Sequence, residues 1–338
     1  MMGERARSER RAYEGSELVT VPTARPTRIL YIGGWGRSGS TLLARMLAQV
    51  PGLVTVGELR DVWLRGCIED RLCGCGASFH DCEFWTAVGQ EAFGGWSRVD
   101  PSEMIRLAMI FDRPWSVPTL LRGVVLSGLD RPFGRYIGVL GRLYRAIRDV
   151  SAGSVIVDSS KIPSYGLMLT RIRDSDVRVV HLVRDSRGVI FSWQKHVRKP
   201  DRPTDADAMH RYGVLAASAR YVLYNVLTQG LRRPGTPYLL LRYEDLIANP
   251  EQQLRRVLRG VDALAADGPL GFVKDESVML RPSHTVDGNP MRFSRGPLEL
   301  KVDDQWRTRL DRGDHLLVSI LTSPLLARYG YLSPRAAA

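Results

Sequence analysis

From residue 28 onward, short continuous apolar runs alternate with longer segments in which apolar residues recur every three or four positions. Arg28–Ile32, Leu53–Val56, Ser154–Asp158, Arg178–Val183 and Tyr238–Leu241 predict strands, because runs of this length rich in Val, Ile and Leu suit a sheet buried on both faces. Between them, Leu42, Leu43, Met46 and Leu47 fall at helical spacing, Pro163–Arg173 predicts a helix, and between Asp205 and Gly230 the residues Met209, Tyr212, Leu215, Ala216, Ala219, Val222 and Val226 trace an amphipathic one. Strand, helix and strand at these intervals imply parallel pairing through crossover connections. Residues 63–150 break the rhythm: helical stretches at Pro101–Phe111 and Pro118–Val150 carry few strand signals, so a helical insertion interrupts the sheet. The fold class is therefore α/β, a central parallel sheet flanked by helices, with that insertion between its second and third strands. Thr285–Asp304, holding Gly288, Pro290, Gly296 and Pro297, predicts irregular chain.

Residues 1–27 lack an apolar period and interleave Arg5, Arg7, Arg10 and Arg11 with Glu4, Glu9 and Glu14, which predicts a mobile charged tail ahead of the domain at 28–338. That stretch has no apolar centre of a secretion signal, and no run of eighteen apolar residues occurs anywhere, so the expectation is a cytoplasmic protein without a transmembrane segment. The 338 residues are 44% hydrophobic, enough for a sizeable core, and carry a net charge of +12. That charge suits an anionic ligand, a membrane surface or nucleic acid alike, and does not choose among them.

The choice comes from residues 33–43, Gly-Gly-Trp-Gly-Arg-Ser-Gly-Ser-Thr-Leu-Leu, a glycine-rich turn between the first strand and an apolar helix. A helix N-terminus offers unpaired backbone N–H groups and a partial positive charge, a cradle for an anion. The loop lacks the lysine that a triphosphatase places before its Ser-Thr pair. Arg37 supplies a forked cation instead, and Ser40 and Thr41 supply hydroxyls. A second strand-to-helix junction, Arg184-Asp185-Ser186-Arg187-Gly188-Val189, follows the fourth strand, with Ser192 eight residues after Arg184. Two such turns at the carboxyl edge of one parallel sheet point to a ligand with two separated phosphates.

These residues resemble the sulfotransferases that use 3′-phosphoadenosine 5′-phosphosulfate, over most of residues 28–310. Gly36-Arg37-Ser38-Gly39-Ser40-Thr41 is similar to the family's 5′-phosphosulfate loop, and Arg184 with Ser192 to its 3′-phosphate motif. Leu241-Arg242-Tyr243-Glu244-Asp245-Leu246 resembles the segment whose tyrosine lies near the adenine, and Gly288-Asn289-Pro290-Met291-Arg292-Phe293, followed by Trp306, resembles a late loop that closes over the nucleotide. The resemblance implies a P-loop-like sheet, in-line transfer of a sulfuryl group to a hydroxyl acceptor of unspecified class, and binding of the donor by Gly36, Arg37, Ser38, Gly39, Ser40, Thr41, Arg184, Ser192, Tyr243, Asn289 and Arg292. It implies no metal requirement. The catalytic histidine of the cytosolic small-molecule branch is missing: Asp158-Ser159-Ser160-Lys161 stands at that place. Gly57-Glu58 and Lys161 are instead similar to the tyrosylprotein branch, which implies Glu58 as general base and Lys161 as the cation near the bridging oxygen. Read from the residues alone, Glu58 could instead cap the helix beginning at Leu59, Lys161 could be a surface residue, and Asp158 could orient Lys161 or cap the next turn. Arg60 and Trp63 are placed to meet the acceptor, and His181, alternating within a strand, predicts a core histidine.

Two rivals fit less of the pattern. A P-loop kinase of a small metabolite would take Asp158 as its magnesium carboxylate but lacks a loop lysine. A non-catalytic nucleotide or nucleic-acid binder would use the +12 charge, yet the arginines sit at strand ends and not in a basic stripe with interleaved aromatics. Cys67, Cys73, Cys75 and Cys82, with His80 nearby, leave three readings open: reduced thiols, a zinc knot, or local disulfides. Their spacing matches no standard zinc ribbon, and no metal ligand set is assigned from it.

Overall fold

The computed structural model describes residues 26–123, 128–153, 155–198, 200–201, 209–261, 266–274 and 276–332. The charged stretch up to Arg25, Ser154 and the first residues of the amphipathic segment at 205–208 lie outside these. Five parallel strands, β1 (Thr27–Gly34), β2 (Leu53–Gly57), β3 (Val155–Lys161), β4 (Ser175–Val183) and β5 (Tyr238–Arg242), form a sheet in the order β2-β3-β1-β4-β5. The continuous apolar run of the central strand follows from burial on both faces: Ile29 and Tyr31 enter one core, Leu30 and Ile32 the other. Three strands outrun the apolar pattern by two residues or more. β1 continues to Gly34, β3 to Lys161 and β4 starts at Ser175, because a buried strand end must still satisfy its backbone groups, and the polar residues there do so in the ladder. Lys161 thereby pairs with Gly33.

Among the described residues there are twelve α-helices, in chain order α1 (Ser40–Leu47), α2 (Glu83–Phe93), α3 (Pro101–Phe111), α4 (Val117–Arg122), α5 (Asp130–Ser151), α6 (Pro163–Leu169), α7 (Ser186–Gln194), α8 (Val214–Gln229), α9 (Tyr243–Ala248), α10 (Pro250–Gly260), α11 (Trp306–Arg309) and α12 (Arg312–Arg328). Proline opens α3, α6 and α10, where its missing N–H costs nothing. α1, α9 and α10 cover the face of Leu30 and Ile32, whereas α5 and α6 cover that of Ile29 and Tyr31. The segment joining β2 to β3 begins with a 3-10 turn at Leu59–Asp61 and a π-helical stretch at Val62–Ile68, then carries α2 to α5. The helix anticipated over Pro118–Val150 is divided, α4 ending at Gly123 in the left-handed region.

Residues Thr285–Asp304 are not wholly irregular. Two short strands before them, β6 (Val273–Lys274) and β7 (Ser277–Leu280), pair antiparallel with each other, β7 also pairs antiparallel with β8 (Gly296–Glu299), and Pro290–Phe293 forms a 3-10 turn. Along the main sheet the chain runs from β1 out to β2, returns to β3, then crosses to β4 on the far side of β1. The carboxyl ends of β1 and β4 are therefore neighbours whose helices leave toward opposite faces, the position where open α/β sheets form a crevice. No helix among the described residues is long and apolar enough to cross a membrane.

Candidate active site

The crevice is a cavity of about 350 Å³, lined among others by Gly36, Arg37, Gly39, Ser40 and Thr41 after β1, Glu58 after β2, Lys161 at the end of β3, Arg184 and Ser192 after β4, Tyr243 at the start of α9, and Asn289 on the late loop. Gly39 stands at the N-cap of α1 with φ 91°, and no side chain caps that helix. Its glycine is obligatory twice over. The left-handed backbone disfavours any side chain, and a Cβ there would sit 2.5 Å from the Tyr243 ring. The first turn of α1 thus faces the cavity with its N–H groups free of side-chain competitors.

Arg37 sits above the Trp193 ring, 5.2 Å from its centroid, and its Nε and Nη2 atoms are buried without a hydrogen-bond partner. Burial lowers its proton affinity, and Glu58 works in the opposite direction. The Ser38 hydroxyl is also buried and unpartnered. It does not line the cavity. Unpaired donors are costly in an apolar interior, and their gathering around one loop is the chemistry of an anion site.

The second turn is built differently. Asp185 caps α7 by accepting from the Arg187 N–H at 2.9 Å and holds the Arg187 guanidinium as well. This helix N-terminus is thus already filled by a carboxylate, and Arg187 turns away to lie over Trp306. The charge offered to the cavity here comes from Arg184. Its guanidinium lies 4.6 Å from the Tyr243 ring centroid, donates to the Asp303 carbonyl at 2.8 Å and pairs with the Asp303 carboxylate at 3.3 Å. Burial would raise the Asp303 carboxyl, but Arg184 and Lys195 outweigh it and hold the group below its usual range. Glu244 supports the turn by accepting from the Asp185 N–H at 3.0 Å, so Tyr243-Glu244 serves the crevice with both side chains.

Glu58 and Lys161 meet at 2.6 Å across adjacent strand ends. Burial pushes the Glu58 carboxyl above its ordinary value, against the pull of Lys161. Glu58 makes no capping bond to the following 3-10 turn, and the Lys161 side chain is only 12% exposed, so neither blander role fits its surroundings. Asp158 does not hold Lys161. Its carboxylate accepts from the Ser160 N–H at 2.7 Å and from the Tyr144 hydroxyl, and burial raises it to about 6.

Three expected contacts with ligands are absent from the crevice. Arg292 is buried beneath the late loop, where it donates to the carbonyls of Thr285 and Leu72 and pairs with Asp201 at 3.0 Å. Its turn lies in the right place, but the side chain faces inward. Trp63, 1% exposed, packs against Phe93 and Trp96 inside the insertion. Arg60 pairs with Asp112 and Asp61. Asn289 lines the cavity while its side chain caps the Pro290 turn and its N–H reaches the Thr41 hydroxyl at 3.4 Å. His181 is the satisfied core histidine the strand pattern predicts, bonded to Tyr238 and Asn225.

Trp193, Met209, Met291 and Asp303 also line the cavity and were not among the expected site residues. Trp193 had a signal, since it follows Ser192 directly. So had Arg45, a cation within the apolar stripe of α1: wholly buried, it donates to the carbonyls of Arg281, Arg292 and Ser294 and binds the late loop to α1.

The sequence matches the sulfotransferase domain family over residues 30–263. None of the curated proteins matches it. Among solved structures it is similar to sulfotransferase STF9 from Mycobacterium avium, at 12% identity over 91% of this chain and 77% of that one, with a TM-score of 0.42. A sulfotransferase from Alicyclobacillus acidocaldarius is 15% identical over 91% of this chain and 96% of its own, with a TM-score of 0.38. A sugar kinase from Janibacter sp. HTCC2649 is 16% identical over 71% and 96%, with a TM-score of 0.32. With the family matched over more than half of its length, and with that match spanning both anion turns and the Glu58–Lys161 pair, this chain belongs to the sulfotransferases.

Proposed function

We propose that this sulfotransferase takes 3′-phosphoadenosine 5′-phosphosulfate as its donor and a hydroxyl compound as its acceptor, with Glu58 as the base. The observation that carries the reading is the convergence of two differently built anion subsites and one partly buried acid–cation pair on a single cavity. The unpaired nitrogens of Arg37 and the uncapped start of α1 suit the 5′ end of the donor; Arg184 and Ser192 suit a 3′-phosphate; Tyr243 lies between them. Asp303 occupies Arg184 in the free protein and gives way when a phosphate arrives.

In the transfer, the acceptor oxygen forms a bond to sulfur as the bond from sulfur to the 5′-phosphate oxygen breaks, and the electron pair stays on that departing oxygen. Fixed donors aimed at developing charge lower such a barrier without reorganising. Arg37, the N–H groups of α1 and Lys161 supply them here. The acceptor proton passes to Glu58, whose burial makes it more basic than an exposed carboxylate while Lys161 keeps it ionised. A kinase reading would need a lysine in the loop, and the loop carries Arg37 and Ser40 instead.

Calorimetry with 3′-phosphoadenosine 5′-phosphate against adenosine 5′-phosphate tests the donor. The bisphosphate is expected to bind more tightly by roughly 2–4 kcal/mol, the value of a charge-assisted pair, and Arg184→Ala should erase that preference. Equal affinities in the unaltered protein would overturn the donor assignment.

A further inference from the structure

The cysteines lie outside the cavity, and the structure sorts them in a way their spacing does not. Cys73 opens a tight turn in which its N–H donates to the Ala77 carbonyl at 2.7 Å and its carbonyl accepts from Gly76 at 2.8 Å. Cys75 lies within this turn and Cys82 immediately precedes α2. A fourth group arrives from two hundred residues away: His284, on the chain between β7 and the Pro290 turn. The three sulfurs and an imidazole nitrogen all lie within 4.8 Å of one another. Cys67 and His80, the other two residues that the sequence suggests, are not in this group; the His80 ring contacts the Cys67 carbonyl.

The separations discriminate among the three readings. Sγ of Cys82 lies 3.6 Å from Sγ of Cys73 and 3.7 Å from Sγ of Cys75; Nδ1 of His284 lies 3.3 Å from Cys82 and 3.8 Å from Cys73. A disulfide requires about 2.05 Å, and all four cysteines are free. A tetrahedral zinc ion bound at about 2.3 Å to sulfur and about 2.0–2.1 Å to nitrogen has sulfur–sulfur edges of about 3.8 Å and sulfur–nitrogen edges of about 3.6 Å. The four observed distances follow those edges to within about 0.3 Å. We infer that Cys73, Cys75, Cys82 and His284 form a four-coordinate structural zinc site that fastens the late loop to the helical insertion.

The surroundings support a built site. Phe84 stacks on the His284 ring at 4.8 Å and 18°, fixing its plane, and the Gly74 N–H donates to the Thr285 carbonyl at 3.0 Å. A Cβ at Gly74 would collide with the Thr285 hydroxyl and the Ser283 carbonyl, so only glycine lets the turn approach His284 this closely. Arg295 donates to the Cys75 carbonyl at 2.7 Å, as an outer partner that steadies a ligand. With four protein ligands no position stays open for a substrate, and the ion has no direct part in sulfuryl transfer. With three thiolates and a neutral imidazole as ligands, the zinc-bound site carries a net charge of −1 beside Arg295. Its consequence is local: the loop fixed at His284 reaches Val56 through the Val286 N–H two residues on, and the cavity through Asn289 five residues on. This site is independent of the donor assignment.

Elemental analysis of the full chain, purified without metal-affinity steps, is expected to give about one zinc per chain. Cys73→Ser and Cys82→Ser should fall below about one-tenth, whereas Cys67→Ser and His80→Ala should keep the metal. His284→Cys provides the control for folding, because a fourth thiolate should retain zinc where His284→Ala loses it. Replacing zinc with cobalt should produce thiolate charge-transfer bands in the near ultraviolet, intact in Cys67→Ser. Zinc below about one-tenth equivalent after reconstitution under reducing conditions would overturn the site, as would iron in its place, retention of zinc by Cys82→Ser, or a disulfide among these cysteines in non-reducing peptide mass mapping.

Discussion

At Glu58, two opposing influences set the chemistry: burial raises the carboxyl, and the Lys161 ammonium 2.6 Å away pulls it back. A base must be ionised before it can accept a proton, so the acid limb of the pH–rate profile reports this balance. Replacing Lys161 with Met removes the stabilising cation, and the limb is expected to move to higher pH. Glu58→Gln should keep bisphosphate affinity while turnover falls by roughly 100-fold or more, the range for loss of a positioned base. Turnover unchanged in Glu58→Gln on any accepted hydroxyl would remove Glu58 from this role; an acid limb unmoved in Lys161→Met would uncouple the pair. The residues of the two anion turns were legible because their neighbours in sequence are their neighbours in space. Arg292 was not. A local pattern places it on the late loop, but the direction of its side chain is decided by the carbonyls of Thr285 and Leu72, which no local pattern contains. Trp63 fails for the same reason, its environment being the aromatics of a distant helix and turn.

At the scale of elements, the strands were legible as apolar runs, and the small sheet was not, since β6, β7 and β8 hold two to four residues each and β8 begins Gly296-Pro297. The loop between β1 and α1 is where element geometry and binding meet. An alanine at Gly39 would carry the left-handed penalty of about 1–2 kcal/mol and would also press on the ring of Tyr243, 2.5 Å from its Cβ. Tyr243 is stacked by Arg184, so displacing it disturbs both anion subsites at once. Gly39→Ala should therefore lower bisphosphate affinity by roughly 10-fold or more and reduce the melting temperature by a few degrees. The added change Tyr243→Leu, which clears the space, should return part of the melting temperature. Undiminished affinity in Gly39→Ala would show that Tyr243 is free to move aside. The π-helical stretch at Val62–Ile68 had no signal, because its apolar spacing reads like that of an ordinary helix.

Across the whole molecule, the sheet order could be anticipated only as parallel pairing; the crossing from β3 over β1 to β4 depends on which helices cover which face, and that is a property of the assembled cores. One side chain ties those layers together. His181 of β4 contacts the Tyr238 hydroxyl of β5 at 2.5 Å through Nδ1 and the Asn225 side-chain oxygen of α8 at 2.8 Å through Nε2. The neutral ring that donates from Nε2 and accepts at Nδ1 satisfies both partners, and burial pushes its proton affinity down to about 4. The unfolded chain protonates this ring near its ordinary value of about 6.5, so the group stabilises the fold fully above that pH. Its contribution is lost as pH falls toward 4, where the buried ring must also charge. The difference is worth on the order of 3 kcal/mol across the window. His181→Asn cannot titrate, so its unfolding free energy should be lower than that of the unaltered protein at pH 7.5 and should decline less between pH 7.5 and 4.5. Urea unfolding at the two pH values measures both quantities, because equal slopes against denaturant leave the extrapolated free energies comparable. A parallel decline in the two proteins would move the acid sensitivity of this fold from His181 to its carboxylates.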